Sequence, residues 1–149
     1  MDRDCPEVTI FSCAYCGAVP RELALRAGLR LPASVHLIEV PCLSRVQADL
    51  ILSAFEAGAQ GVLLVGCEDH NCHHQGGNQR AKRRFAAMAA LLEQVGIPRT
   101  RLSLWQGGLG DPRAFLAELN SFLAAIAGSP HQSQVAGGSL DQGAAETTC

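Results

Sequence analysis

Four short aliphatic runs alternate with stretches of helical periodicity along this chain, and that alternation restricts the fold more than any other feature. The runs are Val8–Phe11, Val35–Val40, Gly61–Val65 and the weaker Arg101–Trp105. The second and third are nearly continuous apolar segments, the pattern of strands covered on both faces. Helical stripes follow at three- and four-residue spacing: Ala81, Phe85, Met88, Leu92 and Val95 in one segment, Phe115, Leu119, Phe122 and Ile126 in the next. Gly28, Gly58, Gly96 and Gly128 each stand just past such a segment, where a left-handed C-terminal cap favours glycine. Ser44 and Gln47 have capping-box spacing, and Asp111-Pro112 offers an N-cap followed by proline at the first helical position.

Strands and helices joined by short links require right-handed crossovers, and therefore a parallel sheet between helix layers. The expected fold is α/β: a single three-layer domain with a four-stranded, mainly parallel sheet and flavodoxin-like, Rossmann-like strand–helix alternation. At 149 residues one domain is the natural size, and with 48% hydrophobic but only 5% aromatic residues its core must be aliphatic. Residues 1–7 read as a lead-in, 8–127 as the folded body, and 128–149, rich in Gly, Ser, Gln and Ala, as a disordered tail. A formal charge of -2 gives no general attraction to nucleic acid or anionic lipid. No apolar run approaches the roughly 20 residues that span a bilayer, and Met1–Glu7 lacks the apolar centre of a signal peptide. A soluble, cytoplasmic protein without membrane insertion is expected.

Seven cysteines are many for a reducing compartment, where clustered thiols bind metal or do redox chemistry. Cys5 and Cys149 stand apart, at the ends of the chain. The other five follow three consecutive strands: Cys13 and Cys16 after the first, Cys42 after the second, Cys67 and Cys72 after the third. In a parallel α/β sheet, sites form outside the carboxyl ends of the strands. Adjacent strands are about 4.8 Å apart, so neighbouring strand ends can bring these thiols within reach of one metal centre. A helix opening after each loop would supply N–H groups and positive dipole to stabilise thiolate. Glycines 17, 66, 76 and 77 would let backbone approach an inorganic core. No catalytic residue is singled out, and no glycine-rich phosphate loop appears. His70, His73 and His74 could join cysteines around zinc, but an all-thiolate set around a ready-made core favours iron–sulfur. The basic run Arg80, Lys82, Arg83 and Arg84 suits either a solvated helix face or an acidic partner.

These residues also resemble a known family. Cys13-x-x-Cys16, Pro41-Cys42-Leu43-Ser44-Arg45-Val46, Ala54-Phe55-Glu56-Ala57-Gly58, Gly61 to Cys67, Cys72-His73 and Gly77-Asn78 look like the delta, or small iron–sulfur, subunit of methyl-viologen-reducing hydrogenases. The resemblance covers roughly Val8 to Ile126. It implies a 2Fe-2S cluster that relays electrons between a hydrogenase, or another donor, and heterodisulfide reductase-like flavin and iron–sulfur subunits. Its ligands would come from Cys13, Cys16, Cys42, Cys67 and Cys72. Such a cluster takes four thiolates, so one of the five would be spare or supporting. The third loop departs from the family's Cys-His-Pro-Gly-Asp-Cys-His-Tyr: here it is Cys67-Glu-Asp-His-Asn-Cys-His-His74, without the Pro-Gly turn or the final aromatic. Two other readings follow from the residues alone. One is a thiol oxidoreductase in which Cys13 attacks and Cys16 resolves, and the other is a zinc-stabilised interaction module.

Overall fold

The computed structural model describes residues 5–16, 22, 25–28, 31–107 and 111–129. The helix expected before Gly28 lies largely outside the described residues, as does nearly all of the expected tail. Strand β1 is Val8–Cys13, β2 Val35–Val40, β3 Gly61–Val65 and β4 Leu102–Trp105. Helix α1 is Ala48–Glu56, α2 Gly77–Gln94 and α3 Pro112–Ala127. Short 3₁₀ turns occupy Leu43–Arg45 and Arg99–Arg101.

The sheet is four-stranded and all-parallel in the order β2-β1-β3-β4, the flavodoxin-like arrangement expected. After β2 the chain must pass back across β1, so the direction of winding reverses between β1 and β3. The crevice at such a reversal is where this class of sheet binds ligands. Register fixes the geometry there. Cys13 pairs with Val40, and Ser12 pairs with Val65, so the loops carrying Cys13, Cys42 and Cys67 leave the sheet at one level.

Alternation along the strands divides the apolar residues into two layers. On one face Phe11, Val62 and Leu64 pack with Ile51 and Ala54 of α1 and Ala81, Met88, Ala89 and Leu92 of α2. On the other, Val8, Ile10, Leu63 and Val65 pack with Phe115, Leu119, Phe122, Leu123 and Ile126 of α3. Cys13, Cys16 and Cys67 belong to the first layer.

Three local expectations are corrected. β2 is not covered on both faces: Ile38 is 45% exposed, because β2 is an edge strand and its crossover carries α1 back toward β3. A groove of about 670 Å³ remains beside it, lined by Phe11, Ile38, Val40 and Leu50 among others. Ser44 and Gln47 form no capping box. Residues 43–45 make a 3₁₀ turn instead, and Gln47 precedes α1 without a side-chain cap. Gly28, Gly58 and Gly96 do take positive φ, whereas Gly128 stays right-handed at φ -80. Asp111 caps α3 as expected, its carboxylate accepting from the N–H groups of Arg113 and Ala114 at 3.0 and 3.1 Å.

Candidate metal centre

The five cysteines of the strand-end loops meet at the carboxyl edge of the sheet. Four are buried, and Cys72 is partly exposed. Cys13 ends β1, and its Sγ stands 3.8 Å from Cys67 Sγ. The Cys13 thiol also points to the carbonyl of Pro41 at 3.9 Å, and Ala14 N–H donates to Val40 O, which fastens the first loop to the second. Cys16 donates to Asn71 O at 3.5 Å and lies against Cys67. Cys42 receives the Ser44 hydroxyl at 3.2 Å, so Ser44 serves the site rather than a helix cap.

Gly77 joins the remaining two sulfurs. A methyl group built on its Cα would clash with Cys42 Sγ at 2.5 Å and touch Cys72 Sγ at 3.4 Å, so the first residue of α2 has to be glycine for Cys42 to keep its place. Gly76 before it is left-handed, with φ +86, which turns the chain into α2 directly after the loop. Gly66 serves a different purpose from the one expected, since it makes room for the Leu43 side chain and not for a sulfur. Gly17 lies outside the described residues.

Electrostatics differ sharply across the set. Burial pushes the Cys67 thiol far up, with the neighbouring Cys16 and Cys13 adding to the rise. Cys16 is raised as well, chiefly by burial, although its hydrogen bond with Cys67 opposes this. Cys72 goes the other way. Burial raises it, but the N–H groups of Asn78, His74 and Gly77 outweigh burial and leave the thiol below its ordinary value. Such donors at a helix start favour thiolate. Crowded thiols resist losing their protons together unless a cation offsets the charge.

The donor set fits an iron–sulfur core in two respects. Two thiolates on one tetrahedral ion at about 2.3 Å stand about 3.8 Å from each other, the separation of Cys13 and Cys67. Soft thiolate ligands with backbone N–H donors aimed at sulfur are also the usual surroundings of such clusters. Among the described residues, no three His, Cys, Asp or Glu side chains already surround one point as they would for a single ion.

The histidines stand outside this set. His73 and His74 are exposed, and His74 Nε2 donates to Pro41 O at 3.2 Å. The basic run is solvent-facing, but two members reach the loops: Lys82 Nζ is 3.8 Å from Asp69, and Arg84 donates to Ser44 O. Sequence reasoning gave Asn78 no role beyond its place in the family motif; it is 5% exposed. Its side chain donates to Glu68 O at 3.0 Å, and its carbonyl accepts from Gln106 Nε2 at 3.3 Å, so it links the third loop, α2 and the segment after β4. An amide directly after a Gly-Gly helix start was the available signal.

The sequence model for the methyl-viologen-reducing hydrogenase delta subunit matches residues 8–128. The chain belongs to the methyl-viologen-reducing hydrogenase delta subunit family. Relatives agree. The iron-sulfur subunit of the F420-non-reducing hydrogenase of Archaeoglobus profundus is 34% identical over 104 residues, which are 69% of this chain and 76% of that protein. The iron-sulfur subunit of the vhu F420-non-reducing hydrogenase of Methanocaldococcus jannaschii is 26% identical over 121 residues, 81% of this chain and 90% of that one. A different kind of relative is one subunit of the ferredoxin/F420H2-dependent CoB-CoM heterodisulfide reductase of Methanosarcina acetivorans, 31% identical over 120 residues. Those residues are 80% of this chain but only 15% of that much longer protein. A similar sequence thus occurs both as a chain of about this size and as one segment of a larger polypeptide. No described helix is long and apolar enough to cross a membrane.

Proposed function

We propose that this delta-subunit family member is an electron-transfer subunit that carries a 2Fe-2S cluster at the carboxyl edge of its sheet. Ligands come from Cys13, Cys16, Cys42, Cys67 and Cys72, four binding iron and one supporting. The cluster passes electrons between a hydrogenase, or another donor, and heterodisulfide reductase-like subunits. The observation that carries the reading is the gathering of five thiols at the reversal of the sheet, beside a glycine that leaves them room. When bound, the cluster supplies reversible one-electron oxidation and reduction.

The chain's own residues do the rest. Cys72 is held toward thiolate by three N–H groups, Ser44 donates to Cys42, and the aliphatic layer keeps water from Cys13 and Cys67. Hydrogen bonds to sulfur and exclusion of water are the protein's levers on reduction potential. Hydrogenase and heterodisulfide reductase partners are supported by the relatives, one an iron-sulfur subunit of a hydrogenase and the other a subunit of a heterodisulfide reductase.

Anaerobic purification tests the reading. Brown protein with iron and acid-labile sulfide each at about two per chain, and a paramagnetic signal on one-electron reduction, is the expected result. Colourless protein holding one zinc would support the interaction-module reading. Metal-free protein whose dithiol activity depends on Cys13 alone would support a thiol oxidoreductase.

A further inference from the structure

Tyr15, the chain's single tyrosine, lies in the loop after β1 and stacks on His73 of the loop after β3. The ring centroids are 3.7 Å apart and the planes 14° from parallel. His74 meets both rings edge-on, at 5.5 Å from Tyr15 and 5.1 Å from His73. The same His74 donates through Nε2 to Pro41 O, in the loop after β2. Three exposed rings therefore connect all three cysteine-bearing loops on their outer side. Nothing in the two packed layers requires this, because none of the three rings belongs to either layer.

The third loop needs such a restraint. His70 at φ 73 and Gln75 at φ 34 both hold left-handed backbone, a conformation that costs a non-glycine residue free energy and persists only where the surroundings over-determine it. The Asn78 side chain fixes the loop at Glu68, and Gln79 fixes it at Asp69. Its later half, from Cys72 to Gln75, is fixed on the outer side by the ring contacts.

We propose that Tyr15, His73 and His74 form a clasp of positioning residues. By joining the three loops, it keeps the buried thiols at cluster-ready spacing and slows escape of iron. The proposal rests on the cluster reading for its second effect and on the thiol geometry alone for its first. It also assigns a role to the place where this chain carries His74 rather than the family's tyrosine.

The test uses the full chain with Tyr15→Ala, Tyr15→Phe, His74→Ala and His74→Gln. In metal-free protein under reducing conditions, mass spectrometry follows alkylation of Cys16 and Cys42. In iron- and sulfide-loaded protein, the visible band is followed after addition of a ferrous chelator. Tyr15→Ala and His74→Ala should speed both processes by about two- to tenfold, the factor that one lost ring–ring contact is worth. Tyr15→Phe keeps the ring and should retain the wild-type rates. His74→Gln keeps a donor for Pro41 O and should fall closer to wild type than His74→Ala. Unchanged alkylation in both alanine variants would overturn the clasp, and so would Tyr15→Phe behaving like Tyr15→Ala. If wild-type protein binds no iron and sulfide, the cluster reading fails by itself and the alkylation rates alone decide the clasp. All three side chains are exposed, so circular dichroism should show every variant folded.

Discussion

At the scale of single residues, the site is a set of thiols with unequal ionisation. Iodoacetamide reacts with thiolate, so metal-free protein should be labelled at Cys72 before Cys67. The sign follows from the shifts: Cys72 lies below its ordinary value and is ionised at lower pH, whereas burial holds Cys67 protonated well above it. Labelling of Cys72 should therefore level off at a pH where Cys67 has scarcely begun to react; the reverse order, read by mass spectrometry, would contradict the hydrogen bonds at the start of α2. Gly77→Ala separates site from stability. Gly77 opens α2 and has no positive φ that would oppose alanine there. The added methyl nonetheless displaces the sulfur of Cys42. Thermal unfolding should be little changed, while bound iron falls well below the wild-type ratio. The grouping of these cysteines was legible from their positions after consecutive strands. Their unequal ionisation was not, because it depends on which N–H groups point at which sulfur.

At the scale of elements, sequence pattern served best where local chemistry acts alone. The bounds expected for β2 and β3 match those observed, and Asp111-Pro112 opens α3 as written. Asp111→Ala should cost about 1 kcal/mol in unfolding free energy, as loss of an N-cap does, without altering iron content, because α3 packs on the face away from the thiols. Pattern failed where tertiary contact decides. Ser44 had the spacing of a cap, but a sulfur two residues away is its partner. β2 is as apolar as a central strand, and only the order of the sheet places it at an edge. Asn78→Ala is the counterpart at α2. It removes the side-chain donor that holds Glu68 O, a loss worth about 1–3 kcal/mol in a buried setting. Urea unfolding should register that loss, and the loaded protein should release iron faster.

At the scale of the whole molecule, two apolar layers share one sheet but serve different ends. Phe115 is 1% exposed in the layer remote from the cysteines, so Phe115→Ala should lower stability by about 3–5 kcal/mol. The fraction that stays folded should still bind iron at the wild-type ratio, measured after gel filtration. A proportional loss of iron per folded chain would show that the layers are coupled more tightly than their separation indicates. The all-parallel topology was legible because short links between alternating elements leave few other solutions. The order of the strands was not, since apolar runs do not state their neighbours.

That order has a consequence for biogenesis. Cys13 and Cys67 are 54 positions apart in the chain yet in van der Waals contact, and β1 lies between β2 and β3. While the polypeptide is emerging from the ribosome, the receptacle does not exist until the third loop and the start of α2 have been released and docked. A centre drawing on all three loops is therefore completed only after the third loop and the start of α2 have left the ribosome.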